Sequence, residues 1–309
     1  MSAGLVLVVG AAGFVGGPVV ERLVRGGVGV RAVVHRGQAP AGVEGVRGDL
    51  ARPESLRGVC EGVGAVLHLA ARVSGSLEEC RAVNEYGTAA LLAEAERCGV
   101  ARVVQLGTAA VYRDGMHQGA VEGELAEGPE SVVSVTRLAG ERLVLAAGGT
   151  VLRPHLVYGR GDRWVVPSLV ELLGRLPFWV DGGRARMSMV SVDALAGALA
   201  ELAVCGEAEA GVWHAGHPVP VSGRELVETV AGELGLALPA GEVDLEGALA
   251  FLAGPDGLDP VLRRRLSFLA VDHWYDSSRL WDLVSASPGR GFVEEFGRYG
   301  DWYRAQCGR

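Results

Sequence analysis

Apolar runs and polar gaps alternate with a regular beat through the first half of the chain. Leu5 to Val9 is a β-branched run that stops at Gly10, and Phe14 to Val24 then carries apolar residues at helical spacing, which predicts a strand, a tight turn and a helix. Further strands are predicted at Val28 to Val34, Val43 to Arg47, Ala65 to Leu69 and Ala101 to Leu106, separated by helical stretches long enough for right-handed crossovers. Glu78 to Arg97 reads as one long helix closing near Gly99, and Val132 to Leu145 reads as another. After a strand at Thr150 to Leu152, Arg153-Pro154 breaks the rhythm and glycine, proline and tryptophan become frequent. Met189 to Val204 and Val212 to Ala215 read as a helix and a strand that return to the main sheet, while Leu226 to Asp276 has a helix-rich texture suited to a lid. The pattern predicts an α/β chain: a doubly wound parallel sheet over residues 1–158, rejoined by 189–216, with a smaller helix-rich substrate lobe over most of 159–309.

Composition narrows the partners. Apolar residues make up 49% of the chain, mostly Val, Leu, Ala and Gly, as expected of parallel strands covered on both faces. The formal charge of −8, with no run of basic residues, lacks the electrostatic footprint of a DNA- or RNA-binding surface, so small molecules are the expected partners. Every one of the 29 basic Lys/Arg positions is arginine, a bias that matters at the active site. The five cysteines, Cys60, Cys80, Cys98, Cys205 and Cys307, are scattered and include no Cys-x-x-Cys pair, so neither a disulfide framework nor a metal site is expected. Met1-Ser2-Ala3-Gly4 runs into an apolar stretch without a basic leader, and no apolar block is long enough to span a bilayer, which points to a cytoplasmic chain.

Gly10-Ala11-Ala12-Gly13-Phe14-Val15-Gly16 places glycines at three-residue spacing between the first strand and the first helix. Such a loop lets the backbone approach a pyrophosphate while the helix N-terminus holds the charge, so a dinucleotide is the expected ligand. The spacing departs from Gly-x-Gly-x-x-Gly, and Pro18 reads as lying past the first helical turn, where it removes a hydrogen bond. About 20 residues further on, where a carboxylate usually meets the ribose hydroxyls, stand His35 and Arg36. A guanidinium clasps a 2′-phosphate through paired hydrogen bonds, which favours NADP(H), with NAD(H) as the alternative.

The motifs together resemble the extended short-chain dehydrogenase/reductases, a family of nucleotide-sugar epimerases, dehydratases and ketone reductases with a Rossmann-type fold. Gly48-Asp49-Leu50 looks like the element beside adenine, His68-Leu69-Ala70-Ala71 like the fourth-strand motif flanking the cofactor, and Val83-Asn84-Glu85-Tyr86-Gly87-Thr88 like the asparagine-bearing helix. Leu152-Arg153-Pro154-His155-Leu156-Val157-Tyr158-Gly159 is similar to Leu-Arg-Pro-x-x-Val-Tyr-Gly, and Val190-Ser191-Val192-Asp193 to the late Val-Asp motif. The resemblance extends from Leu5 to about Arg279. It implies cofactor contacts from Gly10, Gly13, Phe14, Val15, Gly16, Asp49, Leu50, Leu69, Ala70, Ala71, Arg137, Pro154 and Val157, structural roles for His68 and Asp193, and a possible homodimer through the helices at Glu78 to Arg97 and Val132 to Leu145.

In that family a Ser/Thr polarises the carbonyl, a Tyr handles the proton and a Lys four residues later lowers the tyrosine's pKa. Thr108 falls at the Ser/Thr position, but Arg137-Leu138-Ala139-Gly140-Glu141 puts Arg137 at the lysine and Val133 at the tyrosine. Valine has no proton to give, and losing one well-placed donor costs about 2.7–4 kcal/mol of transition-state stabilisation. Ser131, Ser134, Tyr112 and Tyr158 are weighed as substitutes. His155 is the preferred one, because an imidazole titrates near neutrality and follows Arg153-Pro154. A substrate ketone with an adjacent phenol needs no protein acid at all, since its own hydrogen bond steadies the oxyanion. Trp164, Trp179, Phe178, Met187 and Met189 offer an apolar slot for such rings, and the substrate-binding assignment is Val73, Ala110, Val133, Tyr158, Trp164 and Met187. The expected function is therefore NAD(P)H-dependent reduction of an aromatic, polyketide-type ketone. The alternatives are a catalytically silent NADP(H) sensor and a nucleotide-sugar epimerase or dehydratase.

Overall fold

The computed structural model describes residues 4–204, 209–253 and 260–307, so Cys205 and part of the predicted lid segment Leu226 to Asp276 lie outside the described residues. The seven strands of the main sheet are β1 (Leu5–Val9), β2 (Val30–Val34), β3 (Glu44–Arg47), β4 (Val63–His68), β5 (Arg102–Leu106), β6 (Thr150–Arg153) and β7 (Gly211–His214). All pair in parallel, in the order β7-β6-β5-β4-β1-β2-β3. The chain winds outward from β1 through β2 to β3, then crosses back to β4 on the other side of β1. That reversal opens a crevice at the carboxyl ends of β1 and β4, the place where a doubly wound, Rossmann-type sheet takes its ligand.

Both faces of the sheet's central strands are covered, while the edge strand β3 is largely exposed. Val6 and Val8 of β1 pack with helices α1 (Gly16–Arg25) and α5 (Val192–Val204) on one side. Leu7 and Val9 face the opposite way, towards Leu91 and Ala95 of α2 (Thr88–Arg97). This two-sided burial explains why the strands read as continuous apolar runs instead of alternating ones.

A second core belongs to the smaller lobe, where α4 (Val165–Leu173) packs with the helices Gly223–Leu234 and Pro260–Ala270 and with Phe292, Phe296 and Tyr303 near the carboxyl end. A four-stranded sheet flanks this lobe, and its outer strand, His117–Ala120, comes from the first half of the chain. The sequence pattern does not show that short polar strand. Two predicted elements also divide. Met189 to Val204 is a strand, Met189–Ser191, followed by α5, because the Ser191 hydroxyl accepts from the Ala194 N–H and starts the helix there. Glu78 to Arg97 is a short helix, Leu77–Arg81, a π-helical turn, Ala82–Gly87, and then α2.

Candidate active site

The crevice continues as one cleft of about 1840 Å³ between the sheet and the smaller lobe. This exceeds the roughly 300–1,000 Å³ typical of a single small-molecule site, so it has room for a cofactor and a substrate together.

Its floor is the glycine loop. Gly10 has φ +94°, and a Cβ there would stand 2.8 Å from the Ala70 backbone nitrogen; a Cβ on Gly16 would stand 2.0 Å from the Gly10 carbonyl oxygen. Only glycine permits this folding of the loop against β4. Helix α1 opens with no acidic residue in its first turn and no side chain capping it, which leaves its positive end facing the cleft. Pro18 is the third residue of α1, so the bond it was expected to remove does not exist: N–H groups in a first turn have no intrahelical partner.

Gly10, Gly13, Phe14, Val15, Gly16, Leu69, Ala70, Ala71, Thr108, Arg137, Pro154, His155 and Val157 all line the cleft. His35, Arg36, Asp49 and Leu50 gather beyond the ends of β2 and β3, outside that lining. His35 Nε2 lies 3.2 Å from Asp49 Oδ2, Arg36 is exposed and Leu50 is buried.

Thr108 follows β5 as a helix-capping residue: its Oγ1 accepts from the Ala110 N–H at 3.2 Å, leaving the hydroxyl proton free to be given elsewhere. Its own N–H donates to Glu141 Oε1 at 3.1 Å. Glu141 is fully buried and also accepts from Arg153 Nε at 2.8 Å, while Arg153 reaches Glu127 at 2.6 Å. Burial pushes the Glu141 carboxyl up, against the opposing pull of Arg153 and Arg137. Glu141 and Arg153 stand in two motifs of the sequence that carry no sign of being joined.

Arg137, on helix α3 (Val132–Ala146), donates to the carbonyls of Leu106 and Gly107 at 3.0 and 2.8 Å. Desolvation lowers its pKa, although nothing near an arginine's range would let it relay protons at neutral pH. Behind it, Asn84 in the π turn accepts from the Arg72 N–H at 2.7 Å and donates to Arg72 O and to Thr136 Oγ1. His68 is buried against Thr88 Oγ1 at 2.9 Å, and burial, aided by the charge of Arg137, takes its pKa down to about 4.

Several expected contacts fail. Val133 is half-buried one helical turn before Arg137, and neither it nor Ala110 lines the cleft. Tyr158 is 2% exposed, its ring packed edge-on against Phe292 and Tyr299 in the second core, so it is not a substrate contact. Ser131 and Ser134 bond each other at the amino end of α3. His155 does line the cleft but does not titrate near neutrality. It sits among Phe268, His273 and Tyr275, and burial together with His273 and His117 holds its pKa well below 6.5. Met187 and the exposed Trp164 line the cleft, as does Val73; Phe178 and Trp179 do not, and Met189 is a core strand residue.

All six tyrosines can be placed. Tyr86 is exposed on the π turn away from the cleft lining, Tyr112 bonds His214 at 2.6 Å and Tyr275 bonds His117 at 3.0 Å. Tyr303 donates to Asp162, and Tyr158 is in the core. Tyr299, which sequence reasoning missed, lines the cleft, but its hydroxyl donates to Asp193 at 2.7 Å, and burial beside that carboxylate raises its pKa. The cleft thus holds no uncommitted phenol.

Residues 6–209 match the family described as NAD dependent epimerase/dehydratase family. The chain is 32% identical over 301 residues to a 2-alkyl-3-oxoalkanoate reductase of Stenotrophomonas maltophilia (strain K279a), a match covering 87% of this chain and 90% of that one. It is 31% identical over 192 residues to a 4-hydroxy-2-methyl-3-oxo-4-farnesyl-3,4-dihydroquinoline-1-oxide ketoreductase of Stigmatella aurantiaca, over 57% of this chain and 58% of the other. Among solved structures, MoeE5 in complex with UDP-glucose and NAD is similar with a TM-score of 0.75 at 27% identity, over 98% of this chain and 99% of that one.

Proposed function

Since the chain belongs to the NAD dependent epimerase/dehydratase family, we propose that it is an NAD(P)H-dependent ketoreductase acting on a polycyclic aromatic, polyketide-type ketone, with no phenolic acid supplied by the protein. The observation that carries this reading is the pairing of an intact cofactor cleft with six tyrosines that are all committed or elsewhere. Gly10, Gly13, Phe14, Val15 and Gly16 hold the diphosphate, Asp49 and Leu50 the adenosine end, and Leu69, Ala70, Ala71, Pro154 and Val157 the flanks of the nicotinamide half. Arg36 and His35 meet a 2′-phosphate, which favours NADP(H). Arg137 donates to the adjoining ribose.

In the site these residues form, a reduced nicotinamide would supply the hydride for the carbonyl carbon. The chain's own part is to orient and to exclude water. Thr108 donates a hydrogen bond from its hydroxyl to the carbonyl oxygen and keeps its proton, while Val73, Trp164 and Met187 confine the rings. The proton that completes the alcohol comes from the substrate's neighbouring phenol, which recovers it from solvent. His155, neutral at pH 7, shapes the pocket and gives no proton.

The name of the Stigmatella aurantiaca relative fits a substrate that carries its own donor, since it places a hydroxyl at carbon 4 beside an oxo group at carbon 3. The test follows loss of reduced-nicotinamide absorbance with three panels: peri-hydroxy polycyclic ketones, 2-alkyl-3-oxo acids and nucleotide sugars. Turnover of the first panel above the others is expected. Turnover of nucleotide sugars alone would replace this reading with epimerase or dehydratase chemistry, and tight cofactor binding with no turnover would leave a sensor.

A further inference from the structure

Five arginines line the cleft: Arg137, Arg160, Arg163, Arg265 and Arg298. Three are occupied. Arg137 is held by two carbonyls, Arg265 pairs with Glu171 at 2.8 Å, and Arg298 lies 3.6 Å from Glu295. Arg160 and Arg163 are exposed and have no hydrogen-bond or ion-pair partner among the described residues.

The carboxylates of the same cleft are all taken. Glu21 pairs with Arg25, Asp301 with Arg304, Asp193 accepts from Tyr299, and Asp162 is enclosed by its own network. Two uncompensated cations therefore face a cavity whose floor is a loop shaped for phosphate.

The segment carrying them is built to stay in place. Asp162 is 1% exposed and accepts from the N–H groups of Trp164, Val165 and Val166 at 2.8–2.9 Å, starting α4. The Tyr303 hydroxyl donates to Asp162 at 3.0 Å and accepts from the Gly159 N–H at 2.8 Å, tying the segment to the last helix. Between the two arginines, Gly161 has φ +103°, and a Cβ there would stand 2.9 Å from the Phe14 ring. The strap thus lies against the glycine loop itself.

We infer that Arg160 and Arg163 form the outer wall of the cofactor's diphosphate site, closing from the lobe side the anion cradle that the glycine loop and α1 open from the sheet side. This rests on the reading that a dinucleotide occupies the cleft. Asp162 and Tyr303 are positioning residues for the strap. A guanidinium is suited to this task because it keeps its charge at every working pH and offers paired donors to phosphate oxygens.

Calorimetric titration with ADP-ribose and with NADPH tests the clasp without any turnover. The double variant R160Q/R163Q is expected to bind both at least tenfold more weakly than wild type, and with a shallower dependence on salt. The variant R175Q/R263Q removes the same charge at two exposed positions outside the cleft lining, and is expected to bind like wild type. Equal affinity in wild type and R160Q/R163Q, or an equal loss in both double variants, would overturn the clasp. Absence of ADP-ribose and NADPH binding by wild type would instead sink the dinucleotide reading on which it rests.

Discussion

Thr108 and Val133 frame the chemistry at the scale of single residues. In the proposed mechanism Thr108 supplies the hydroxyl that polarises the carbonyl, and its oxygen accepts from the Ala110 N–H and so caps the following turn. Thr108→Val is expected to lower kcat by roughly 100- to 1000-fold with little change in the Kd for NADPH, since the lost donor acts on charge that develops only in the transition state. Val133→Tyr addresses the opposite question. If the substrate brings its own proton, restoring the phenol changes kcat on the true substrate by less than tenfold; a rise of hundreds of times would mean that the position is a defect. His68 carries a pH prediction. Its folded pKa of about 4 lies below the ordinary 6.5, so the unfolded chain takes up a proton that the folded chain refuses. The corresponding stability is fully present above about pH 6.5 and is lost as pH falls through about 4, amounting to about 3 kcal/mol at the acid end. Urea midpoints measured from pH 7.5 down to about pH 4 should fall, and His68→Gln should flatten part of that slope.

At the scale of elements, the parallel strands were readable because burial on both faces leaves a continuous apolar run, and the observed ends lie within two residues of the predicted ones at each of the first five. The π turn at Ala82–Gly87 was not readable. A single wider turn leaves the apolar spacing on either side intact, and its cause is the set of bonds from Asn84 to Arg72 and Thr136, the latter 52 positions away. The same limit hid Tyr299, whose partner Asp193 is 106 positions distant, and the join between Glu141 and Arg153. The sequence itself shows valine at position 133, where the family resemblance leads one to expect a tyrosine. That buried join makes a prediction. Glu141→Gln leaves Arg153 with Glu127 alone and weakens the anchor of the Thr108 N–H, so a loss of about 3 kcal/mol is expected in urea unfolding. A loss below about 1 kcal/mol would mean that Glu127 already satisfies the guanidinium.

For the whole molecule, the cleft is where two separate cores meet, one around the seven-stranded sheet and one in the smaller lobe. The strap at Gly159–Trp164 touches both: Gly161 against Phe14 of the glycine loop, and Asp162 against Tyr303 of the last helix. A ligand gripped from the two sides binds only when both lobes are folded and apposed, so its binding energy adds to the stability of the pair and not of one lobe. NADPH at a hundred times its Kd is therefore expected to stabilise the protein by about 2.7 kcal/mol and to raise the unfolding of both cores in a single calorimetric transition. Tyr303→Phe removes the hydroxyl that joins the strap to the last helix while keeping the ring in its stack against Phe296. In that variant the smaller lobe should melt first, and NADPH should shift the two transitions by unequal amounts. A single transition that NADPH moves as far as in wild type would show that the lobes are coupled by their packed surfaces alone and that the strap transmits nothing between them.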